Sequence, residues 1–202
     1  MAYKAKTPDQ RRLIQRLKAS VASILIEASY LSDATLAIKG LKQQDVNFQG
    51  VLGMDAGFVD TKFIPNVGKD TEGLISREVW AKDLSAKKPL VKQVNDLFKS
   101  KFGTDMNGSS ARAFTGVFVL ADAINRAASL EPAKIQAALQ KTDIKGEQLI
   151  MPWDGVSFDA RGQNTKGRGI MVQIQKGEYI TVWPIELASK DLIWPLPEWS
   201  KR

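Results

Sequence analysis

The order of apolar patterns along the chain limits its fold more than any other feature: segments with helical spacing alternate with short, β-branched apolar runs. Thr7-Pro8-Asp9 predicts a helix start, combining a capping hydroxyl, a proline suited to a first turn and an acid favoured by the helix dipole. Leu13, Ile14, Leu17 and Val21 then recur at helical spacing. Ile24-Leu25-Ile26 is the kind of run expected of a strand buried on both faces of a parallel sheet. Ser32 is placed to cap a second helix with Ala34, Ala37, Ile38 and Leu41 on one face, and Gly50-Val51-Leu52-Gly53 follows as a second strand. Helix, strand, helix, strand in this order predicts right-handed crossovers and an α/β sheet covered by helices.

Residues 72–80 predict a third strand with an exit segment, and two helices follow. The first covers 89–102 and is stopped by Gly103 in a left-handed cap; the second covers 110–128. Apolar positions nearly surround the second, so it is expected to be well buried, with Phe114 in the core. Glu131-Pro132 opens a third helix through Leu139. Residues 153–164 are rich in turn formers, and runs at 170–175 and 179–183 flank Lys176-Gly177-Glu178 as a β-hairpin. Pro184, Pro195 and Pro197, interleaved with Trp183, Trp194 and Trp199, make the tail an irregular strap.

Composition removes whole classes of chemistry. The 202 residues contain neither Cys nor His, so thiolate nucleophiles, Ser-His-Asp triads and Cys- or His-ligated metals are excluded, and no metal or cofactor is expected. The length suits one domain or two small lobes. The net charge of +7 raises the question of nucleic acid, but the basic residues are interleaved with acids, as in Arg77-Glu78 and Lys82-Asp83. The denser groups, Arg11-Arg12 with Arg16 and Lys18, and Lys87-Lys88, are expected to be solvated helix faces, so no nucleic-acid partner is predicted. Val21 to Ala28, the most apolar stretch, contains Ser23 and Glu27 and falls far short of the roughly 20 residues that span a bilayer. The start lacks the apolar segment of an export signal, so expression of the sequence as it stands is expected to leave it in the cytoplasm.

The loop Met54-Asp55-Ala56-Gly57-Phe58-Val59-Asp60 lies at the carboxyl end of a predicted parallel strand, where open α/β sheets usually bind ligands. Together with Thr7-Pro8-Asp9, Leu17-Lys18, Ala28-Ser29-Tyr30-Leu31-Ser32-Asp33-Ala34, Gly73-Leu74 and the helix from Ala121 to Ala127, the sequence resembles the carboxyl half of a type I periplasmic binding protein of the branched-chain amino-acid transport class. The ending is similar as well: Phe158-Asp159, Gly162-Gln163-Asn164, Val172-Gln173-Ile174, Gly177 and Val182-Trp183-Pro184. The resemblance spans nearly the whole chain. It implies a non-catalytic solute receptor for an ATP-driven importer, periplasmic, closing two α/β lobes on an amino acid or related carboxylate and meeting the transporter's membrane subunits. It implies an aromatic residue in the loop after one strand and an acid in the loop after the next; here these positions are Tyr30 and Asp55.

Elementary chemistry is compatible with those roles, because an aromatic face packs on an apolar ligand body and a carboxylate forms charge-assisted bonds with an ammonium. The alternatives are a loop aromatic with its hydroxyl paired and a turn acid satisfying backbone N–H groups. Ser29 and Ser32 flank Tyr30 as possible donors, though a helix cap is the expected task of Ser32. Phe58 lines a cleft or fills the core, with the core preferred, and Arg112 at the start of its helix faces a crevice.

A complete family member is longer, with an export signal and a first lobe. The resemblance therefore implies a truncated fold: residues 1–78 as part of the second lobe, 79–150 as a helical segment that packs on the first lobe, and 151–202 as crossing segment, hairpin and tail. A shortened sheet exposes edges, which favours self-association. Two other classes remain: a cytosolic regulatory or oligomerising protein reusing a receptor lobe, and an α/β enzyme with Asp55, Asp60 or Glu72 as general base. No close acid pair and no phosphate-loop or nucleophile-elbow motif supports the enzyme. Ligand identity is not legible.

Overall fold

The structure, a computed structural model, describes residues 2–7, 9–54 and 56–202. The elements follow in the order α1 (Arg11–Lys18), β1 (Ile24–Ala28), α2 (Leu31–Gln43), β2 (Gly50–Met54), α3 (Phe63–Val67) and β3 (Ile75–Glu78). They continue as α4 (Pro89–Phe102), α5 (Gly108–Ala127), α6 (Pro132–Gln140), β4 (Ile144–Lys145), β5 (Gly155–Val156), β6 (Ile170–Gln175) and β7 (Glu178–Trp183). The chain divides into two compact units: Met1–Glu78 with Met171–Arg202, and Val79–Ile170. Among the described residues no single helix is long and apolar enough to cross a membrane.

The first unit is a mixed α/β layer with strand order β1-β2-β3-β6-β7. β1 and β2 are parallel, with Ile24 opposite Gly50 and Ala28 opposite Met54. β2 and β3 are parallel through Leu52–Ile75 and Gly53–Ser76. The predicted hairpin closes the sheet, with Gln175 paired to Glu178 across a turn in which Lys176 and Gly177 have φ of 55° and 75°. Apolar residues at helical spacing on α2 (Ala34, Ala37, Ile38, Leu41) are all buried, and Ala34, Ile38 and Leu41 join Ile14, Val51, Phe58, Phe63, Leu74 and Ile174 in one core.

The tail belongs to this unit. Leu196 and Trp199 are buried in its core. The Leu196 amide donates to the Gln49 carbonyl at 2.7 Å, and the Trp199 indole donates to the Val46 carbonyl at 2.9 Å. Inside the sheet, Gln173 donates to the Gly73 and Ile193 carbonyls, both at 2.9 Å, and Gln175 donates to the Asp191 carbonyl at 2.9 Å. These buried amides replace the regular ladder that proline denies the tail.

In the second unit, α4 ends at Gly103, in the left-handed region at φ 75° as expected. Helix α5 starts on a reciprocal cap between Asn107 and Ser110, and the Arg126 guanidinium ties it to α6 by donating to the Ala138 carbonyl at 2.6 Å and to Thr142 Oγ1 at 2.9 Å. A smaller core gathers Val119, Ile144, Leu149 and Val156.

Several expectations need correction. Helix α1 starts at Arg11, with Gln10 at the N-cap and no side-chain cap bond. The Thr7 hydroxyl is spent on the Lys4 carbonyl, and Asp9 accepts from the Arg11 N–H at 2.9 Å; Pro8 lies outside the described residues. Val21 is past the helix and fully exposed. β1 is an edge strand, so the run expected to be buried on both faces leaves Ile24 and Ile26 exposed. Tyr30, not Ser32, is the N-cap of α2, and Ser32 sits inside its first turn. Helix α5 buries Gly108 and the stripe Ala111, Thr115, Val119 and Ala123, while Phe114, Val117, Phe118 and Leu120 are exposed, because its neighbours cover one face.

Trp199→Ala removes a buried ring and orphans the Val46 carbonyl, so it is expected to lower stability by about 3 kcal/mol in urea denaturation. A loss below about 1 kcal/mol would show that the tail is not part of the core.

Candidate functional site

Because β1 and β2 are parallel and in register, both chains leave the sheet side by side at their carboxyl ends. Ser29 follows β1 directly, and its amide donates to the Met54 carbonyl at 3.4 Å. After Met54 the chain returns: the Gly57 amide donates to the Ser29 carbonyl at 3.1 Å. This contact needs glycine, since a Cβ at position 57 would lie 2.4 Å from the Ser29 oxygen and 2.6 Å from the Tyr30 carbonyl carbon. The two loops thus form one joined rim.

Tyr30 stands on that rim. Its backbone is extended (φ −87°, ψ 167°), and its carbonyl accepts from the Asp33 and Ala34 amides at 3.0 and 2.9 Å as α2 begins. The residue is 65% exposed, so its ring stands in solvent on a backbone held by these bonds. Ser29 is buried, and its hydroxyl donates to Glu27 Oε1 at 2.9 Å. Phe58 is fully buried with its ring centroid 5.1 Å from that of Phe63, the core position preferred from the sequence. Asp55 lies outside the described residues. Arg112 belongs to the second unit, exposed on α5, where it lines a groove of about 350 Å³ with Thr115, Val119, Leu139, Trp153 and Phe158. Within the first unit, then, Ser29 and Tyr30 meet the loop after β2, whereas Arg112 belongs to the second unit.

Two residues escaped sequence reasoning. Tyr179 on β7 donates its hydroxyl to the Phe58 carbonyl at 2.7 Å, and burial raises its pKa well above the ordinary phenol value. It anchors the loop after β2 from 121 residues away, a separation that no local pattern reports. Gly57 is the other; its only signal is its place three residues past a strand. Of the acids considered as bases, Asp60 accepts from the Lys62 amide and Glu72 from the Lys176 amide, both at 2.8 Å.

The family model for periplasmic binding proteins matches residues 1–178. The chain belongs to that family. Leu/Ile/Val-binding protein homolog 7 of Brucella suis is 25% identical over 198 residues, covering 96% of this chain and 49% of the relative. A branched-chain amino acid transporter substrate binding protein of Streptococcus pneumoniae, solved in complex with isoleucine, superposes with a TM-score of 0.67 at 18% identity, covering 89% of this chain and 50% of that one. A solute binding protein from R. palustris, solved with 4-hydroxybenzoate, superposes with a TM-score of 0.70 at 17% identity over 99% of this chain and 53% of its own. The chain spans about half the length of the curated relatives it matches.

Beneath the rim, Glu27 is partly buried on β1. Burial pushes its carboxyl up to about 7; the Ser29 hydroxyl opposes this and the Asp33 carboxylate adds to it. A carboxyl with a raised folded pKa binds more protons when folded, so stability falls as pH rises from the ordinary value of 4.5 to about 7. Glu27→Gln is expected to abolish that fall and to raise stability at pH 8 by up to about 3 kcal/mol, read from urea denaturation across pH. A wild-type profile flat over this range would contradict the buried placement of Glu27.

Proposed function

We propose that this chain is the second-lobe half of a periplasmic solute receptor that delivers an amino acid or related small carboxylate to the membrane subunits of an ABC-type importer. The carrying observation is the joined rim: two loops leaving adjacent parallel strands, locked by the Gly57–Ser29 bond, present the exposed ring of Tyr30. Tyr30 packs on the ligand's apolar body and Asp55, next in the chain after Met54, pairs with its ammonium. The isoleucine held by the Streptococcus pneumoniae relative has both features, whereas the 4-hydroxybenzoate of the R. palustris protein has a ring and a carboxylate only. The amino-acid class is the better fit to an aromatic–acid pair.

Residues 79–150 supply the helical segment that packs on the first lobe of a complete receptor, a role supported by the exposed apolar residues Phe114, Val117 and Phe118. The free edge of β1 favours self-association of this chain in isolation. Size exclusion with light scattering is expected to show concentration-dependent dimers; a monomer at every concentration contradicts this.

Calorimetric titration with leucine, isoleucine and valine tests the site. Asp55→Asn is expected to weaken binding by about 1.5 to 3 kcal/mol through loss of one charge-assisted bond, and Tyr30→Ala by about 1 to 2 kcal/mol through loss of apolar contact. Unchanged affinity in Asp55→Asn removes that residue from the site, and binding of aromatic acids in preference to these three amino acids overturns the ligand class.

A further inference from the structure

A cavity of about 250 Å³ lies in the first unit between α1, β1 and α2, with Tyr3 from the preceding segment at its wall. Neither Tyr30 nor Phe58 lines it, so it is separate from the rim above. Its volume is several times the roughly 30 Å³ that one water occupies in the liquid. Leu13 and Leu17 of α1 and Leu25 of β1 give it an apolar wall, and Gln10, Glu27 and Tyr3 supply the polar groups.

Two of these polar groups carry buried oxygens without a hydrogen-bond partner. Gln10 is 7% exposed, and its amide oxygen Oε1 has no hydrogen-bond partner. Glu27 shares one carboxyl oxygen with the Ser29 hydroxyl, while the other, Oε2, is buried and unpartnered. Among the described residues Glu27 has no basic partner in an ion pair. A buried acceptor left unpaired is costly, and two at one cavity call for a donor-rich, positively charged group. Gln10 Oε1 is an acceptor only, and Glu27 Oε2 becomes one when its carboxyl ionises above about pH 7; in that state a carboxylate or phosphate finds no donor in them, and Asp33, close enough to raise the Glu27 carboxyl, adds further negative potential.

We propose that this cavity is a binding site for short primary alkylammonium ions, with the ammonium donating to Glu27 Oε2 and Gln10 Oε1 and a branched alkyl body lying against Leu13, Leu17 and Leu25. An ammonium carries three N–H donors, enough to satisfy both acceptors, while Tyr3, its hydroxyl engaged with Ser29 and Asp33, closes the wall beside them. The same charges reject a free amino acid, whose carboxylate enters beside Glu27 and Asp33. The site therefore selects an amine of the size of a decarboxylated branched-chain amino acid over the amino acid itself.

Calorimetric titration of the 202-residue chain with isopentylammonium chloride at pH 8 tests this. The expected result is one saturable site, with isopentanol at least about ten-fold weaker and saturating leucine not competing. Glu27→Gln keeps the side-chain shape, removes the charge and is expected to weaken the amine at least about ten-fold; Gln10→Leu, which removes the other acceptor, is expected to weaken it several-fold. Circular dichroism establishes that each variant is folded. Absence of saturable amine binding to the folded wild type, competition by leucine at equal affinity, or wild-type affinity in either folded variant overturns the proposal.

Discussion

One backbone contact organises the carboxyl end of the sheet in the first unit: the hydrogen bond from the Gly57 amide to the Ser29 carbonyl, made where two parallel strands leave the sheet together. It exists because Gly57 has no Cβ to strike the opposing backbone. With it in place, the chain after β1 turns into α2 at Tyr30, and the chain after β2 turns into a short helical turn that carries Phe58 to the core. Fixing both backbones lets a large aromatic side chain stand exposed at a defined place. A receptor gains from such pre-arrangement, since a loop ordered before the ligand arrives adds no ordering cost on binding.

The support for this rim is non-local. Tyr179 reaches it from the closing hairpin, and the tail that follows that hairpin is held by buried amides of Gln173 and Gln175 and by the indole of Trp199. The first unit is thus made from both ends of the chain. Loss of the last strands would remove a clamp from the loop after β2, although no residue of those strands lies on the rim.

What the sequence disclosed is what local chemistry decides. The buried face of α2, the strand at Gly50–Met54, the Gly103 stop and the Lys176-Gly177 turn follow from periodicity and from residues that tolerate positive φ. What it hid depends on neighbours. Ile24 and Ile26 have the composition of a central strand, but strand order puts them at an edge. Helix α5 is apolar on nearly all sides, yet it buries one stripe, Ala111, Thr115, Val119 and Ala123, below Gly108 at its start, and leaves Phe114, Val117 and Phe118 exposed. The two loops were legible because carboxyl ends of parallel strands are known in advance to be binding positions, whereas Tyr30 was singled out by the family resemblance, and the structure places it, exposed, where β1 gives way to α2. The Gly57 approach and the Tyr179 anchor were not, nor were the buried acceptors of Gln10 and Glu27 in the separate cavity, because each arises between segments far apart in sequence.

The most direct test of the joined rim is amide hydrogen exchange at Gly57, followed by NMR in the absence and presence of a saturating branched-chain amino acid. A pre-formed rim that grips solute predicts exchange well below the free-peptide rate without ligand and a further slowing with it. Exchange at the free-peptide rate in the folded chain, unaltered by any amino acid, would contradict both the locked loops and the function built on them.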